Sequence, residues 1–451
     1  GQAILKMELE QFKRYRSQDN LEDVMNGLNI IEKCLLQFKS ETGIDAYTED
    51  FKKVLAETLC IGGTEAAGET MKTFGTDKKY QSGFTTVRTV TGNFKKRERK
   101  KTDGRCGMKT EYRAIDFTKL IAAFLVVAIH IPPFEELAPA FSHAFEQVIC
   151  RLSVPFFFLC TGFFTAEKIT DWGRMKSYLL HIIKMYLFWS ILYLPCIFAR
   201  FVKKEHAWQE NVRELLRRFF LIGSYIQLWY LLATVVAVLL LFLAKRLLGE
   251  RDGLLILLAV CIYVIGLLGN SYRHIVIQNP VAASAIRGYQ DVFLTTRNGF
   301  FFGFPFVTMG YFFFQKREKI KRPGKRELLL FFLLLAGLFE EEAWLTTRYG
   351  DGSHDMYLLL PAVSGLLFFL VAGIPVSEKA DRAAKRARSL STDLFLLHML
   401  VWFWLKKSVI WKFFWAKSAL GSYLLVACIS LFLAVLLEAG KRYWKKSIKN
   451  I

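Results

Sequence analysis

The apolar run from Asp116 to His130 (DFTKLIAAFLVVAIH) is the feature that most constrains the fold of this chain. Lys119 and His130 are eleven residues apart, about three helical turns, so in a helix both lie on one face roughly 16 Å apart along the axis. Ionisable side chains rarely face hydrocarbon and usually line a protein interior or a wet cavity. Two interpretations remain open: Lys119 reaches the cytoplasmic surface and His130 ends the helix before Pro132, or both residues line a functional cavity.

Composition indicates a membrane protein. Of the 451 residues, 53% are hydrophobic and 15% are aromatic, and the apolar residues occur in blocks. The net charge of +21 comes from basic residues that cluster between these blocks, as membrane topology requires, so no nucleic-acid partner is expected. The eight cysteines form no C-x-x-C pair and no zinc spacing, so no metal site is expected either.

Ten candidate membrane spans are predicted from residue 116 onward, by the criterion that about 17–25 apolar residues cross a bilayer. They lie at 116–134, 144–166, 177–200, 225–247, 253–271, 298–315, 326–345, 356–375, 389–410 and 420–440. Basic loops at 315–326 and 377–388 predict the cytoplasmic side, and an even number of spans places both termini there. The predicted fold is all-α: a polytopic, multi-pass protein of the cell membrane with about ten transmembrane helices.

Three domains are expected from the change in composition along the chain. Residues 1–107 are polar and contain no span-length apolar run. They predict a small cytoplasmic extension, mainly helical or partly disordered and of unknown function, which is either an appended module or an over-extended gene start. Residues 108–440 form the predicted membrane domain, and residues 441–451 form a basic cytoplasmic tail. The segment 200–218 is predicted to be an amphipathic surface helix.

Ionisable residues inside this frame fall at two predicted depths. The outer level contains His130, Arg151, Arg297, Glu340, Glu341, Glu342, His354 and Asp355. The inner level contains Asp116, Lys119, His181, Lys184 and Asp393, and His398 lies near the middle. Unpaired, each of these residues would be costly, but around a cavity they satisfy one another. The pattern predicts a two-sided site, although ordinary channels and receptors also contain such pairs.

Five segments resemble, in order, landmarks of the acyltransferase family 3 membrane proteins. The first is the pair Lys119 and His130, where that family has an Arg, ten residues and a His. The others are RLSVPFFFLCTGFF from Arg151, QLWYL from Gln227, TRNGFFFGFP from Thr296, and LSTDLFLLH from Leu390. The resemblance covers about residues 112–440 and is closest to the branch that forms the membrane half of vancomycin-resistance serine racemases.

The resemblance implies a bacterial membrane-bound acyltransferase. Such an enzyme moves an acyl group, with acetyl as the expected one, from a cytoplasmic donor to a hydroxyl of an extracytoplasmic carbohydrate or other envelope acceptor. Acyl-CoA is the implied donor, and no bound cofactor is expected. The alternative is a small amino-acid (serine) transport module like the membrane half of those racemases, without the racemase domain. A third possibility is an inactive scaffold of a cell-envelope system.

Roles for the catalytic residues follow from the chemistry of acyl transfer. His130 is the candidate base, because imidazole titrates near neutral pH. Glu341 or Asp355 would orient His130. His398, on a leucine-rich face, is interpreted as a buried, hydrogen-bonded histidine rather than a site residue.

The predicted substrate-binding residues are Lys119, Arg151, Arg297 and Asp116. Arg151 or Arg297 would stabilise developing negative charge. The alternative for Arg297 is a purely structural role, in which its side chain anchors the helix at the membrane interface. Lys119 replaces the family's Arg, and Gln227 stands where a His commonly precedes Leu-Trp. Lysine offers a point charge and not the planar fork of an arginine, so Lys119 is expected to hold the donor less well than the family's Arg.

Overall fold

The computed structural model describes residues 112–202, 208–350, 354–408 and 418–449. They belong to the second of the two units into which the chain divides, Tyr112–Ile451. Residues 1–107, for which a small cytoplasmic extension is predicted, lie outside the described residues. Every regular element in the described part is a helix, so the all-α prediction is confirmed there.

Fourteen helices carry the architecture of the described residues. In chain order they are α1 (Arg113–His130), α2 (Pro139–Lys168), α3 (Trp172–Leu192), α4 (Leu194–Val202), α5 (Trp208–Arg217), α6 (Trp229–Leu248), α7 (Asp252–Leu268), α8 (Arg273–Val276), α9 (Pro280–Phe293), α10 (Phe304–Gln315), α11 (Lys325–Tyr349), α12 (Leu360–Ala372), α13 (Asp381–Lys407) and α14 (Ala419–Lys449). Each of the ten predicted spans overlaps at least one of them. α5, inside the predicted amphipathic segment, has no buried residue.

Fewer helices qualify as membrane spans by length and composition than the ten that hydropathy predicts. Among the described residues, three are long and apolar enough, namely α2, α6 and the part Ala419–Tyr443 of α14. A fourth span arises if α3 and Leu194–Arg200, which are bent by 58°, count as one. α7 and α12 are apolar but shorter. The chain therefore carries several apolar helices of membrane character, and the number ten stays a prediction.

Helices α1 and α13 run side by side in the same direction. At their first turns, Arg113 Nε lies 3.3 Å from Asp381 Oδ1. Further along, Arg388 donates two hydrogen bonds, of 2.8 and 2.6 Å, to the carboxylate of Asp116. Near the other end of α1, the ring of His130 stacks on that of His398 in α13. The parallel direction is what the first and ninth members of an alternating set of spans would have.

Helices α2 and α10 cross at close range through two glycines. A methyl group on Gly162 would collide with the carbonyl oxygen of Val307, and one on Gly310 with the carbonyl oxygen of Leu159. Small residues at a crossing let two helix backbones approach, which is the usual source of tight packing between membrane helices. This crossing fixes α2, and with it Arg151, relative to α10.

Two hydrophobic clusters fill the interior. The first is rich in phenylalanine and packs α2, α7, α10 and α12. The second packs α1, α3, α13 and α14 and includes the fully buried Tyr193, whose hydroxyl donates to the carbonyl oxygen of Leu396 at 2.7 Å. Four partly buried side chains touch both clusters: Val154, Tyr178, Tyr230 and Val235. They mark a seam between the clusters.

Three turns in the described residues are wound as π-helix. They are Phe145–Ile149 within α2, Arg218–Ile222 after α5, and Gly299–Gly303 before α10. Asn298 begins the last of these, and its side-chain oxygen accepts the backbone N–H groups of Phe300 and Phe301 at 3.0 and 3.1 Å. A π turn is rare and often lies at a functional site.

Candidate functional site

A small polar cavity lies between α1, α2, α6 and α13. Its volume is about 40 Å³, and its polar lining consists of His130, Arg151, Gln227, Arg297 and Asp355. A water molecule needs roughly 10–15 Å³ of such space, so the cavity has room for only a few atoms. We call it the outer cavity, after the predicted orientation of the chain. Four of the predicted site residues therefore meet here, although their roles stay predictions.

Asp355 bridges the two arginines of the outer cavity. Arg297 Nη1 lies 3.0 Å from Asp355 Oδ1, and Arg151 Nη1 contacts the same oxygen. Arg151 also donates two hydrogen bonds, of 3.2 and 3.0 Å, to the side-chain oxygen of Gln147. One carboxylate thus neutralises one of two guanidinium charges, which leaves the cavity with a surplus of positive charge. Such a surplus favours an anion or a developing oxyanion.

Arg297 is held on its other side by an aromatic ring. Its guanidinium carbon lies 4.9 Å from the ring centroid of Trp229, a cation–π contact. The Nε of Arg297 is buried and has no hydrogen-bond partner. The side-chain oxygen of Gln227 is also buried and also lacks a partner. An unpaired buried donor and an unpaired buried acceptor are costly in a finished core. In a cavity they are the groups that a ligand or a water molecule would satisfy.

The imidazoles of His130 and His398 form a stacked pair. Their ring centroids are 5.4 Å apart, and the ring planes differ by 22°. His398 Nδ1 lies 2.8 Å from the carbonyl oxygen of Phe395. A carbonyl only accepts, so Nδ1 carries a hydrogen, and in the neutral imidazole Nε2 is then the acceptor. That Nε2 is buried and unpartnered.

His398 is therefore buried and hydrogen-bonded, as its surroundings in the sequence suggested, and it also contacts the candidate base. The sequence offered one signal for this, namely its place in the segment LSTDLFLLH. Trp229 was likewise not among the predicted site residues, although it lies in the segment QLWYL.

A second cavity lies further along the same helices. Its volume is about 210 Å³. Its polar lining comprises Lys119, Thr161, Tyr178, His181, Tyr230, Thr234, Ser391 and Thr392. Lys119 carries the permanent charge of this lining, and its Nζ lies 5.0 Å from the ring centroid of Phe164. We call it the inner cavity. Lys119 and His130 thus line different cavities.

Phe395 lines both cavities. Its ring contacts Tyr230 and Phe157 edge to face, with centroids 5.5 and 6.0 Å apart. Both of these residues line the inner cavity. The ring of Phe395 also lies 6.1 Å, centroid to centroid, from that of His398. Phe395 is therefore the residue that the two linings share, and it packs against two aromatic residues of the inner cavity.

Glu341 does not belong to the lining of either cavity. Its carboxylate accepts the hydroxyl of Tyr272 at 2.9 Å and the backbone N–H groups of Leu358 and Leu359 at 2.5 and 3.0 Å. These N–H groups come just before α12, whose first turn has no helical acceptors for them. Glu341 therefore caps the start of α12. Its predicted role in orienting His130 stays a prediction, and Asp355 is the carboxylate that shares a cavity with His130.

Asp116 lies at the same end of α1 as Lys119 but faces α13. Its side chain is almost fully buried and paired through both oxygens with Arg388. A bidentate arginine–carboxylate pair is among the stronger polar contacts in proteins. Asp116 therefore joins two helices, and its predicted contact with substrate stays a prediction.

The loop before α12 places His354 next to the outer-cavity residue Asp355, and α11 supplies Glu342 nearby. His354 is buried, and burial lowers the pKa of its imidazole below the ordinary 6.5, although the carboxylates of Glu342 and Asp355 act in the opposite direction. Glu342 itself accepts from Thr346 at 2.7 Å and lies 2.8 Å from His143 Nε2. Among the described residues, no group of three or more His, Cys, Asp or Glu side chains has the geometry to hold a metal ion.

The chain is similar to known proteins of one family. A family model described as an acyltransferase domain matches residues 112–439. An amino-acid racemase of Enterococcus faecalis is 31% identical over 358 residues, which are 76% of this chain and 48% of that protein. A serine/alanine racemase of Enterococcus gallinarum is 30% identical over 296 residues, 63% of this chain and 40% of that protein. The chain thus spans half or less of the curated relatives it matches. No solved structure matches it.

Proposed function

The chain belongs to acyltransferase family 3, whose domain model matches residues 112–439, and from that premise we propose that it transfers an acyl group across the membrane. The donor is a cytoplasmic acyl thioester, with acyl-CoA as the expected compound, and no resident cofactor takes part. The acceptor is a hydroxyl of a carbohydrate or other envelope molecule on the far side. The protein then works as a multi-pass enzyme of the bacterial cell membrane with both termini in the cytoplasm.

One observation carries this proposal: the two cavities lie in line along the same helices. α1 supplies Lys119 to the inner cavity and His130 to the outer one. α2 supplies Thr161 to the inner cavity and Arg151 to the outer one. A transferase with donor and acceptor on opposite sides of a bilayer needs such an arrangement, because its two substrates approach from opposite ends.

The outer cavity contains the groups that acyl transfer requires. The acceptor oxygen adds to the thioester carbonyl carbon while His130 takes the hydroxyl proton. Arg151 and Arg297 lie near the carbonyl oxygen as it becomes negative. When the carbon–sulfur bond breaks, His130 returns the proton to the departing sulfur. The acyl ester and a free thiol result, and the imidazole is neutral again.

The inner cavity suits the donor. At about 210 Å³ it has the space that the outer cavity lacks, and Lys119 brings a positive charge for an anionic group of the donor. A lysine ammonium binds phosphate as a point charge with three freely rotating donors. His181 and the hydroxyls of the lining offer further hydrogen bonds to polar parts of the donor.

A second candidate function is the transport of serine or a similar small amino acid. The relatives favour it, because two of those matched carry the names amino-acid racemase and serine/alanine racemase. The outer cavity also offers partners for the charged groups of a zwitterion, with two guanidiniums for a carboxylate and Asp355 and Gln227 for an ammonium group. In this function no thioester is consumed.

Reconstituted vesicles distinguish the two functions. The full chain is inserted into lipid vesicles that hold radiolabelled acetyl-CoA, with cell-wall glycan and a distinguishably labelled serine outside. Acyl transfer predicts that acetyl label leaves the thioester and becomes bound to glycan, and that the His130→Ala protein does neither. Uptake of serine without any loss of thioester would reject acyl transfer and establish the second function.

A further inference from the structure

One phenylalanine ring borders both the outer and the inner cavity. Phe395 is 6% exposed and belongs to the lining of both the outer and the inner cavity. Other lining residues belong to one cavity only: Tyr230 and Phe157, which the ring contacts, line the inner cavity, and His130 and Arg297 line the outer one. A ligand that moved from one cavity to the other along α13 would meet this ring.

The ring is held by weak contacts, whereas the backbone behind it is fixed. Edge-to-face contacts join the ring to Tyr230 and Phe157, and such contacts are individually modest. The carbonyl oxygen of the same residue accepts the hydrogen bond from His398 Nδ1 at 2.8 Å. A rotation about the side-chain bonds of Phe395 therefore moves the ring away from this shared border without disturbing that hydrogen bond or the helix. The inner cavity, about 210 Å³, lies beside the ring as space into which it can turn.

We propose that Phe395 is a gate, a residue whose ring closes the passage between the inner and outer cavities and swings aside when a ligand passes. The proposal concerns the passage itself, so it holds for an acyl donor and for a small amino acid alike. With the ring in place, a small polar reagent in one cavity does not reach the other.

For acyl transfer the gate has a chemical consequence, and this consequence rests on the proposed function. With the gate closed, water in the outer cavity is kept from a thioester in the inner cavity. In a protein without the ring, a water oxygen adds to the thioester carbonyl, the carbon–sulfur bond breaks and the sulfur takes the proton. The products are a carboxylic acid and a free thiol. Phe395→Ala is therefore expected to consume thioester without acceptor, which the unaltered protein does not do.

Side-resolved cysteine labelling tests the gate without relying on any activity. The eight cysteines are replaced by serine or alanine, and one reporter is added in each cavity. Thr161→Cys serves the inner cavity, and Ile129→Cys serves the outer one. The full-length protein in vesicles is exposed to a charged, membrane-impermeant methanethiosulfonate on one side or the other. With Phe395 present, each reporter is modified from one side only, and the two reporters from opposite sides.

Removal of the ring should change this pattern completely. In Phe395→Ala, the Thr161→Cys reporter gains labelling from the side that previously gave none, at a rate approaching that from its own side. Phe403→Ala is the matched control, because this ring lies in the same helix and lines neither cavity. It should leave one-sided labelling unchanged.

Each remaining outcome decides the question. If Phe395→Ala does not insert, Phe395→Leu is used, and its far-side labelling must exceed that of the unaltered protein. Two-sided labelling with Phe395 in place overturns the gate. So does one-sided labelling in a correctly inserted Phe395→Ala or Phe395→Leu protein. Gained far-side labelling, together with no loss of thioester by the unaltered protein when glycan is present, keeps the gate and rejects acyl transfer, so the two proposals fail separately.

Discussion

The outer and inner cavities are built from the same helices but differ in how their polar groups are held. In the outer cavity, the charged groups are paired before any ligand arrives: Asp355 joins Arg151 and Arg297, and Trp229 covers the latter. In the inner cavity, Lys119 rests against the ring of Phe164 amid hydroxyls, in a volume about 210 Å³ against about 40 Å³.

This difference separates two tasks. Groups that act on a developing charge must already be oriented, since reorganisation during the reaction would raise the barrier. Groups that only anchor a large, flexible ligand gain little from rigidity and more from space. The outer cavity therefore has the properties of a reaction site, and the inner cavity those of a binding site. Changes in the first should alter turnover or stability, and changes in the second should alter affinity.

The largest expected effect is on turnover, from His130→Ala. Loss of a positioned general base reduces turnover by about two to four orders of magnitude. The KM for the donor should change little, because Lys119 and not His130 shares the donor's cavity. Steady-state kinetics in vesicles measures both constants. His274→Ala, which removes an imidazole that lines neither cavity, should leave turnover unchanged, and an unaffected His130→Ala protein would contradict the division of tasks.

The next largest effect is on stability, from Asp355→Ala. The substitution leaves two guanidiniums, with side chains 11% and 28% exposed, without their shared carboxylate. Breaking a fully buried ion pair costs about 3–5 kcal/mol, which is the upper bound here. Thermal unfolding in detergent should show a clear drop in Tm. Asp171→Asn is the matched control, because its ion pair with Arg174 is exposed and asparagine still caps α3. Equal shifts in both variants would show that the outer cavity is not preorganised by Asp355.

A smaller effect, on affinity alone, is expected from Lys119→Ala. One charge-assisted hydrogen bond of about 1.5–3 kcal/mol is lost, which corresponds to a rise of roughly 10–100-fold in the KM for the donor. Turnover should hardly change, since the contact is the same in ground and transition states. Lys119→Arg should keep or improve the affinity, and Lys176→Ala, at an exposed position of α3, should have no effect. A fall in turnover without a change in KM would assign Lys119 to the reaction instead.

The smallest effect concerns pH and the edge of the outer cavity. Burial lowers the pKa of His354 below 6.5, so the folded protein favours the neutral imidazole. The stability that depends on this neutral form is complete above about pH 6.5, the unfolded value, and is lost as the pH falls below it. Tm should therefore decrease more steeply between pH 6.5 and 5 than in His354→Gln. Identical pH profiles would mean that His354 is not buried in its neutral form.

The level of a residue along the axis of its helix was easier to predict from the sequence than the direction in which its side chain points around that axis. Each residue of a helix advances by a fixed 1.5 Å, so counting residues placed His130, Arg151, Arg297 and Asp355 at one level, and these four line one cavity. The predicted spans overlap helices for the same reason. The family resemblance is confirmed by the match over residues 112–439.

Counting residues along a helix could not predict which residues of other helices or loops a side chain contacts. Glu341 falls at the outer level, yet its carboxylate is taken up by the backbone before α12. Asp116 falls at the inner level with Lys119, yet it faces Arg388 of α13. Hydropathy fixes neither the rotation of a helix about its axis nor the path of a loop, and both of these decide which partner a carboxylate meets.

The π turns give the outer cavity an unusual sensitivity to chain length. Arg151 follows the turn Phe145–Ile149 by two residues, and Arg297 precedes the turn Gly299–Gly303 by two. A π turn holds one residue more than an α turn, and each residue of an α-helix turns the chain by about 100°. The angle at which each guanidinium meets Asp355 is thus a matter of helical phase, set by the number of residues and not by their identity. Deletion of Phe300 or Phe301 from the second turn would rotate Arg297, which precedes that turn, away from Asp355 while every side chain of the outer cavity is still present.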